Sequence, residues 1–132
     1  MIYGIGIDLV ENGRLEKIIE KWGVKFLNKI FSEGEILYCK RHAQPSIHYC
    51  ARFAAKESFL KALGLGLGGG VKLCDIEVVN DENGKPALQL YGTAKAQIEK
   101  RNITKTHLSL THTKKYATAI VLLRKNKKKP LL

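Results

Sequence analysis

Pro45-Ser46-Ile47-His48-Tyr49-Cys50-Ala51-Arg52-Phe53-Ala54-Ala55-Lys56-Glu57-Ser58-Phe59-Leu60-Lys61-Ala62-Leu63-Gly64 is the stretch on which the fold turns. It opens on a proline, which suits the first helical turn, and closes on a glycine, the usual stop residue. The spacing predicts one long helix from Pro45 to about Leu63. At 100° per residue, Arg52 and Lys56 fall on one side of it with His48 above them. Glu57 and Lys61 fall on another, four residues apart, flanked by Cys50, Phe53, Ala54 and Leu60. A carboxylate and an ammonium therefore sit in an otherwise apolar stripe, where charge is costly unless paired or bound to a metal. A salt bridge between them at a helix edge would contribute only a few tenths of a kcal/mol. The apolar flanks favour an active-site pair instead.

Upstream, Ser32 and Glu35 form a capping box that opens a helix toward Cys39. Leu15, Ile18, Ile19 and Trp22 recur at helical spacing and predict an amphipathic helix that packs this face inward and stops near Gly23. Arg14, Lys17 and Lys21 lie on its polar face, with Lys25 just beyond. Residues 2–10 alternate as a strand, with Tyr3, Ile5, Ile7 and Leu9 on one face and Gly4, Gly6 and Asp8 on the other. A face bare of side chains lets another backbone or a ligand come close. Asp8, at its end, either caps the next helix or belongs to a site.

Downstream, Gly64, Gly66 and Gly69 spell a G-x-G-x-x-G, but it follows a helix and precedes a strand, the reverse of a dinucleotide fingerprint. It reads as a flexible connection. Asp75–Val79 and Ala87–Leu90 flank an Asn83-Gly84 turn and predict a hairpin. A short helix over Thr93–Arg101, a strand over Thr106–Thr113 and a final apolar strand over 116–123 complete an α+β chain, an antiparallel sheet packed against the long central helix.

With 132 residues the chain suits one domain, over 1–123, followed by a basic tail at 124–132. Hydrophobic and charged contents of 45% and 27% argue against disorder or a fibrous repeat. No run approaches the roughly 18 apolar residues of a membrane helix, and Asp8 and Glu11 do not suit a signal peptide, so the expected compartment is cytoplasmic. Cys39, His42, His48 and Cys50 could supply zinc ligands, but their spacing favours buried thiols and surface histidines. The net charge of +11 is uneven. All 12 acids precede residue 100, and nine of the 23 basic groups lie in 101–132, leaving 14 against 12, or +2, for the first hundred residues. Arg124-Lys125-Asn126-Lys127-Lys128-Lys129 reads as a solvated tail. Two distant acids, Asp8 and Glu57, with Lys56 and Lys61 nearby, would suit magnesium and phosphoryl transfer.

Ile5-Gly6-Ile7-Asp8, followed by Arg52-Phe53-Ala54-Ala55-Lys56-Glu57-Ser58-Phe59-Leu60-Lys61-Ala62-Leu63-Gly64, closely resembles the paired signatures of the 4′-phosphopantetheinyl transferases. Asp75-Ile76-Glu77-Val78, Gly84-Lys85-Pro86 and Ser109-Leu110-Thr111-His112-Thr113 are similar to further blocks of the short bacterial branch. The resemblance runs from residue 2 to about 123. It implies an α+β trimer with active sites between subunits. It also implies transfer of 4′-phosphopantetheine from coenzyme A to a serine of acyl carrier protein, releasing 3′,5′-ADP, in fatty acid biosynthesis. By motif position, Asp8 and Glu57 would hold Mg²⁺, Glu57, directly or through a metal-ordered water, would accept the serine proton, and Lys61 would neutralise or protonate the leaving phosphate. Arg52, Lys56, Lys61, Gly84, Lys85, Pro86, His112 and Thr113 match coenzyme A-binding positions. Arg14, Lys17, Lys21 and Lys25 would meet the acidic carrier protein. Asn12-Gly13 departs from the family pattern, which has an aliphatic residue near position 12. The competing class, a basic nucleic-acid module, lacks stacking aromatics and a recognition helix and leaves Asp8 and Glu57 without a role. Neither a nucleic-acid nor a membrane partner is expected.

Overall fold

Helix α3 (Pro45–Leu63) forms where its proline and glycine place it, with Gly64 as a left-handed C-cap at φ 79°. The Leu65 amide donates back to the Leu60 carbonyl at 2.9 Å and closes the last turn. The computed structural model describes residues 1–67 and 69–126. Around α3 it arranges β1 (Ile2–Glu11), α1 (Asn12–Ile30), α2 (Glu33–Lys40), a 3₁₀ turn (Leu73–Asp75), β2 (Ile76–Asn80), β3 (Pro86–Leu90), α4 (Gly92–Lys100), β4 (Ile103–His112) and β5 (Tyr116–Lys125). The strands form an antiparallel sheet in the order β1-β5-β4 and a β2-β3 hairpin. This is the expected α+β class.

Strand β1 lies directly on α3 because its inward face carries almost no side chains. A Cβ at Gly4 would stand 2.0 Å from the Ala62 carbonyl oxygen, and one at Gly6 would stand 1.9 Å from that of Ser58. Ala51, Ala54, Ala55 and Ala62 keep the helix surface equally low, and all are buried. The Ser58 hydroxyl donates to the Ala119 carbonyl at 2.9 Å, so a buried polar group is satisfied by β5. The opposite face of the sheet is apolar and uncovered. Ile5, Ile7 and Leu9 are 54%, 62% and 66% exposed, and Ile120, paired with Ile7 across the ladder, is 41% exposed.

Two expectations are corrected and one is extended. Helix α1 breaks at Gly23 as expected, with non-helical φ 61° and ψ −141°, but a second helical segment runs on from it to Ile30. Trp22 consequently does not pack inward. The axis breaks beside it, Leu15 and Leu27 supply the buried contacts, and the indole stays 56% exposed with the Lys21 ammonium 5.2 Å from its ring centre. The domain also does not end at 123. Arg124 pairs with Ile2 and Lys105, and Lys125 with Ile103, so the first two basic residues of the expected tail are strand. Lys127, Lys128 and Lys129 lie outside the described residues. Among the described residues, no helix is long and apolar enough to cross a membrane.

Candidate active site

The close seat of β1 on α3 carries Asp8, two residues beyond Gly6, over the helix turn that holds Glu57 and Lys61. The Lys61 ammonium donates to Asp8 Oδ1 at 2.8 Å and to the Ile7 carbonyl at 3.2 Å. Asp8 is therefore no helix cap, since the N-cap of α1 is Glu11 and has no side-chain bond. Nor does Lys61 pair with Glu57 along the helix; its ion-pair partner is Asp8. Glu57 Oε1 is buried without a hydrogen-bond partner. Burial, then the Asp8 charge, pushes the Glu57 carboxyl above its ordinary range, while Lys61 opposes the shift. Two carboxylates thus lie near one ammonium, which of the two bonds only Asp8. A buried carboxylate oxygen with no donor, beside a second hard oxygen donor, suits a divalent cation such as Mg²⁺, which takes one or two carboxylates and fills its shell with water and phosphate.

A second concavity opens between α3 and the β2–β3 hairpin. It holds about 130 Å³ and brings together Arg52, Gly84, Pro86 and His112 with Tyr38 and His48. The Arg52 guanidinium lies 3.9 Å from the centre of the Tyr38 ring, and its Nε has no partner. The rings of His42 and His48 stack at 3.7 Å, and that of His112 follows at 5.7 Å from His48. Arg52 and two imidazoles, His48 and His112, with no carboxylate in the lining, suit an anion. Lys85 is exposed on the hairpin turn, its amide donating to Asp81 Oδ1 at 2.8 Å. Thr113 is likewise exposed, and its hydroxyl oxygen accepts the Lys115 and Tyr116 amides.

Lys56 is the site residue that the structure removes. Its side chain is fully buried, and the ammonium donates to Glu35 Oε1 at 2.7 Å. Burial draws its pKa down and Glu35 draws it back. It cannot reach a ligand in the pocket. Cys39, His42, His48 and Cys50, which the spacing reads as thiols and histidines rather than zinc ligands, do not converge: among the described residues no group of three His, Cys, Asp or Glu could hold a metal. Burial pushes the Cys39 and Cys50 thiols up to about 12 and about 11, as for inert core thiols. Tyr38 was missed as a pocket residue. His48, one turn before Arg52, was legible in the spacing, but the Tyr38 contact comes from another helix. Arg14, Lys17, Lys21 and Lys25 are all exposed along α1. Beside them Ile18, Trp22 and Phe26 form an apolar groove.

His48 sets a pH dependence of stability. Burial, followed by His42, His112 and Arg52, lowers its pKa from 6.5 to about 4. Between those values the unfolded chain takes up a proton that the folded chain does not, so stability is fullest above pH 6.5 and declines toward pH 4. His48→Phe is expected to lose less melting temperature than the parent between pH 7 and pH 5. Equal losses would contradict the assignment.

The sequence pattern of the 4′-phosphopantetheinyl transferase superfamily matches residues 4–121. A holo-acyl-carrier-protein synthase from Syntrophus aciditrophicus is 58% identical over 123 residues, spanning 93% of this chain and 96% of that protein. The crystal structure of the holo-acyl-carrier-protein synthase from Neisseria meningitidis superposes with a TM-score of 0.87 at 33% identity, covering 95% of this chain and all of that one. The corresponding synthase from Bacillus anthracis, solved in complex with coenzyme A (3′,5′-ADP), gives a TM-score of 0.79 at 38% identity and covers 96% and 99% of the two chains.

Proposed function

The chain belongs to the 4′-phosphopantetheinyl transferase superfamily, and on that premise we propose that it transfers 4′-phosphopantetheine from coenzyme A to a serine of apo-acyl carrier protein, a step of fatty acid biosynthesis. The observation that carries this reading is the meeting of Asp8, Glu57 and Lys61 on one surface, fixed by two glycines that bring β1 onto α3. The serine oxygen forms a bond to the phosphorus that bears the pantetheine arm, and the bond from that phosphorus to the 3′,5′-ADP oxygen breaks. Glu57, directly or through an ordered water, accepts the serine proton; its raised pKa suits a base. Lys61 is 54% exposed and held only by Asp8 and the Ile7 carbonyl, so its ammonium can turn to the leaving phosphate. Asp8 and Glu57 would hold Mg²⁺, which would supply charge stabilisation on the pyrophosphate.

Arg52, Gly84, Lys85, Pro86, His112 and Thr113 bind coenzyme A from the hairpin side. A concavity of 130 Å³ is too small for this ligand alone, since sites for ligands of drug size hold about 300–1,000 Å³. The rest comes from a neighbouring subunit. The uncovered face of Ile5, Ile7, Leu9 and Ile120 is the apolar surface on which a trimer closes. Three free cysteines suit the reducing cytoplasm. Release of 3′,5′-ADP from coenzyme A tests the chemistry: it is expected to require both apo-carrier protein and Mg²⁺. Release at full rate in EDTA, or with no carrier present, would contradict it.

The carrier docks on α1, where Arg14, Lys17, Lys21 and Lys25 steer its acidic surface and Trp22 offers an apolar contact. Rim charges act mainly on association and are screened beyond about 10 Å at 0.1 M salt. Arg14→Glu is expected to raise the KM for carrier protein several-fold at low salt and to leave the KM for coenzyme A unchanged. The gap should narrow as salt rises. A defect in coenzyme A binding instead would remove this helix as the docking surface.

A further inference from the structure

Lys56 and Glu35 are both wholly buried, and neither takes part in the chemistry described above. The Lys56 ammonium donates to Glu35 Oε1 at 2.7 Å, to the Leu73 carbonyl at 2.9 Å and to the Ile76 carbonyl, which uses all three of its protons. Glu35 accepts the Ser32 amide on Oε1 at 2.9 Å and the Val78 amide on Oε2 at 3.0 Å. One ion pair therefore ties α3 to α2, to the 3₁₀ turn and to β2.

Its place in the fold is specific. One turn before Lys56 on α3 stands Arg52, which lines the anion pocket, and the next residue is Glu57. The facing wall of that pocket contains Val78, Asn80, Gly84 and Pro86, on and just beyond the strand that the pair holds through Ile76 and Val78. The other ion pair among the described residues, Lys61–Asp8, lies at the reacting centre and does not touch this wall. Stability alone gives no reason for the pair, because a well-packed apolar replacement of a buried ion pair is often neutral or better.

Resting on the transferase reading, we propose that Lys56 and Glu35 are positioning residues that fix the hairpin wall of the coenzyme A pocket against the helix carrying Glu57 and Lys61. Lys56→Met alone strands a buried carboxylate and is expected to unfold, so it decides nothing by itself. The informative protein is the double variant Glu35→Gln, Lys56→Met, which removes both charges at nearly constant volume and keeps one side-chain oxygen, enough to accept either the Ser32 or the Val78 amide. It is expected to fold, to keep its KM for carrier protein, and to raise its KM for coenzyme A at least about tenfold, since small misplacements of binding groups are costly. Hydrogen exchange at the Val78 and Asn80 amides should quicken with it. A purely structural pair would lower the melting temperature and leave the KM for coenzyme A of the folded protein unchanged; that result overturns the proposal. Should the double variant not fold, Glu35→Asp, which keeps both charges and both oxygens but shortens the tether by one methylene, gives the same split, and an unchanged KM for coenzyme A there overturns it equally. If the unaltered chain neither binds coenzyme A nor transfers from it, the transferase reading fails first, and the two failures are distinct.

Discussion

Glu57→Gln is expected to melt at or above the temperature of the unaltered chain and to transfer at least about five powers of ten more slowly. The stability half follows from Oε1, a buried carboxylate oxygen with no partner, and from a charge that burial and Asp8 both oppose. An amide of the same shape removes that opposition. The activity half follows from the proposed mechanism, in which the Glu57 carboxylate would both hold the metal and, directly or through an ordered water, accept the serine proton. Loss of metal-centred charge stabilisation removes several kcal/mol, about three powers of ten in rate, and loss of a general base about two to four more. Asp8→Ala should be nearly as inactive. Its ion pair with Lys61 is more than half exposed on the lysine side, so stability should change little. Melting curves and initial rates on the same preparations check both halves. Appreciable activity in either variant would remove the carboxylate pair from the mechanism.

Ile7→Lys should yield a folded monomer that has lost transfer by more than about 100-fold. Ile7 is 62% exposed and points away from the core, so a lysine there costs the single chain little. In an assembly the same position meets apolar neighbours, and an unpaired ammonium would be buried. Light scattering of the unaltered chain should give three times its mass of 14.8 kDa, and that of the variant a single chain. Loss of the neighbour's share of the pocket accounts for the rate, since misplacing bound substrate by about 1 Å can cost 100-fold. A fully active monomer would contradict the shared site.

What was legible in the sequence was mostly local. Pro45 and Gly64 bound the central helix, Ser32 and Glu35 form the capping box, and the alternation of residues 2–10 places Gly4, Gly6 and Asp8 on one face of β1. The bare face needed no tertiary knowledge, because absent side chains announce a close approach. What failed depended on distant partners. Lys56 shares a helix side with Arg52, which lines the pocket, but its fate is decided by Glu35, twenty-one residues upstream. Trp22 keeps its helical spacing, but periodicity does not tell that the last residue before the break at Gly23 is left without a packing partner. Arg124 and Lys125 read as tail because charge outweighed the ladder pairing that extends β5 through them. Asn12, the departure from the family pattern, is buried: its amide and side chain donate to the Lys115 and Lys114 carbonyls, pinning the β4–β5 turn to the start of α1. An aliphatic residue there could pack but could not make the side-chain bond.

The central claim is that Asp8, Glu57 and Lys61 act as one phosphopantetheinyl-transfer centre. Intact-mass spectrometry of apo-acyl carrier protein, incubated with this chain, coenzyme A and Mg²⁺, tests it most directly. The account predicts a gain of one phosphopantetheine, roughly 340 Da, on the carrier, and no gain with Glu57→Gln. A carrier of unchanged mass after incubation with the unaltered, folded chain would contradict it.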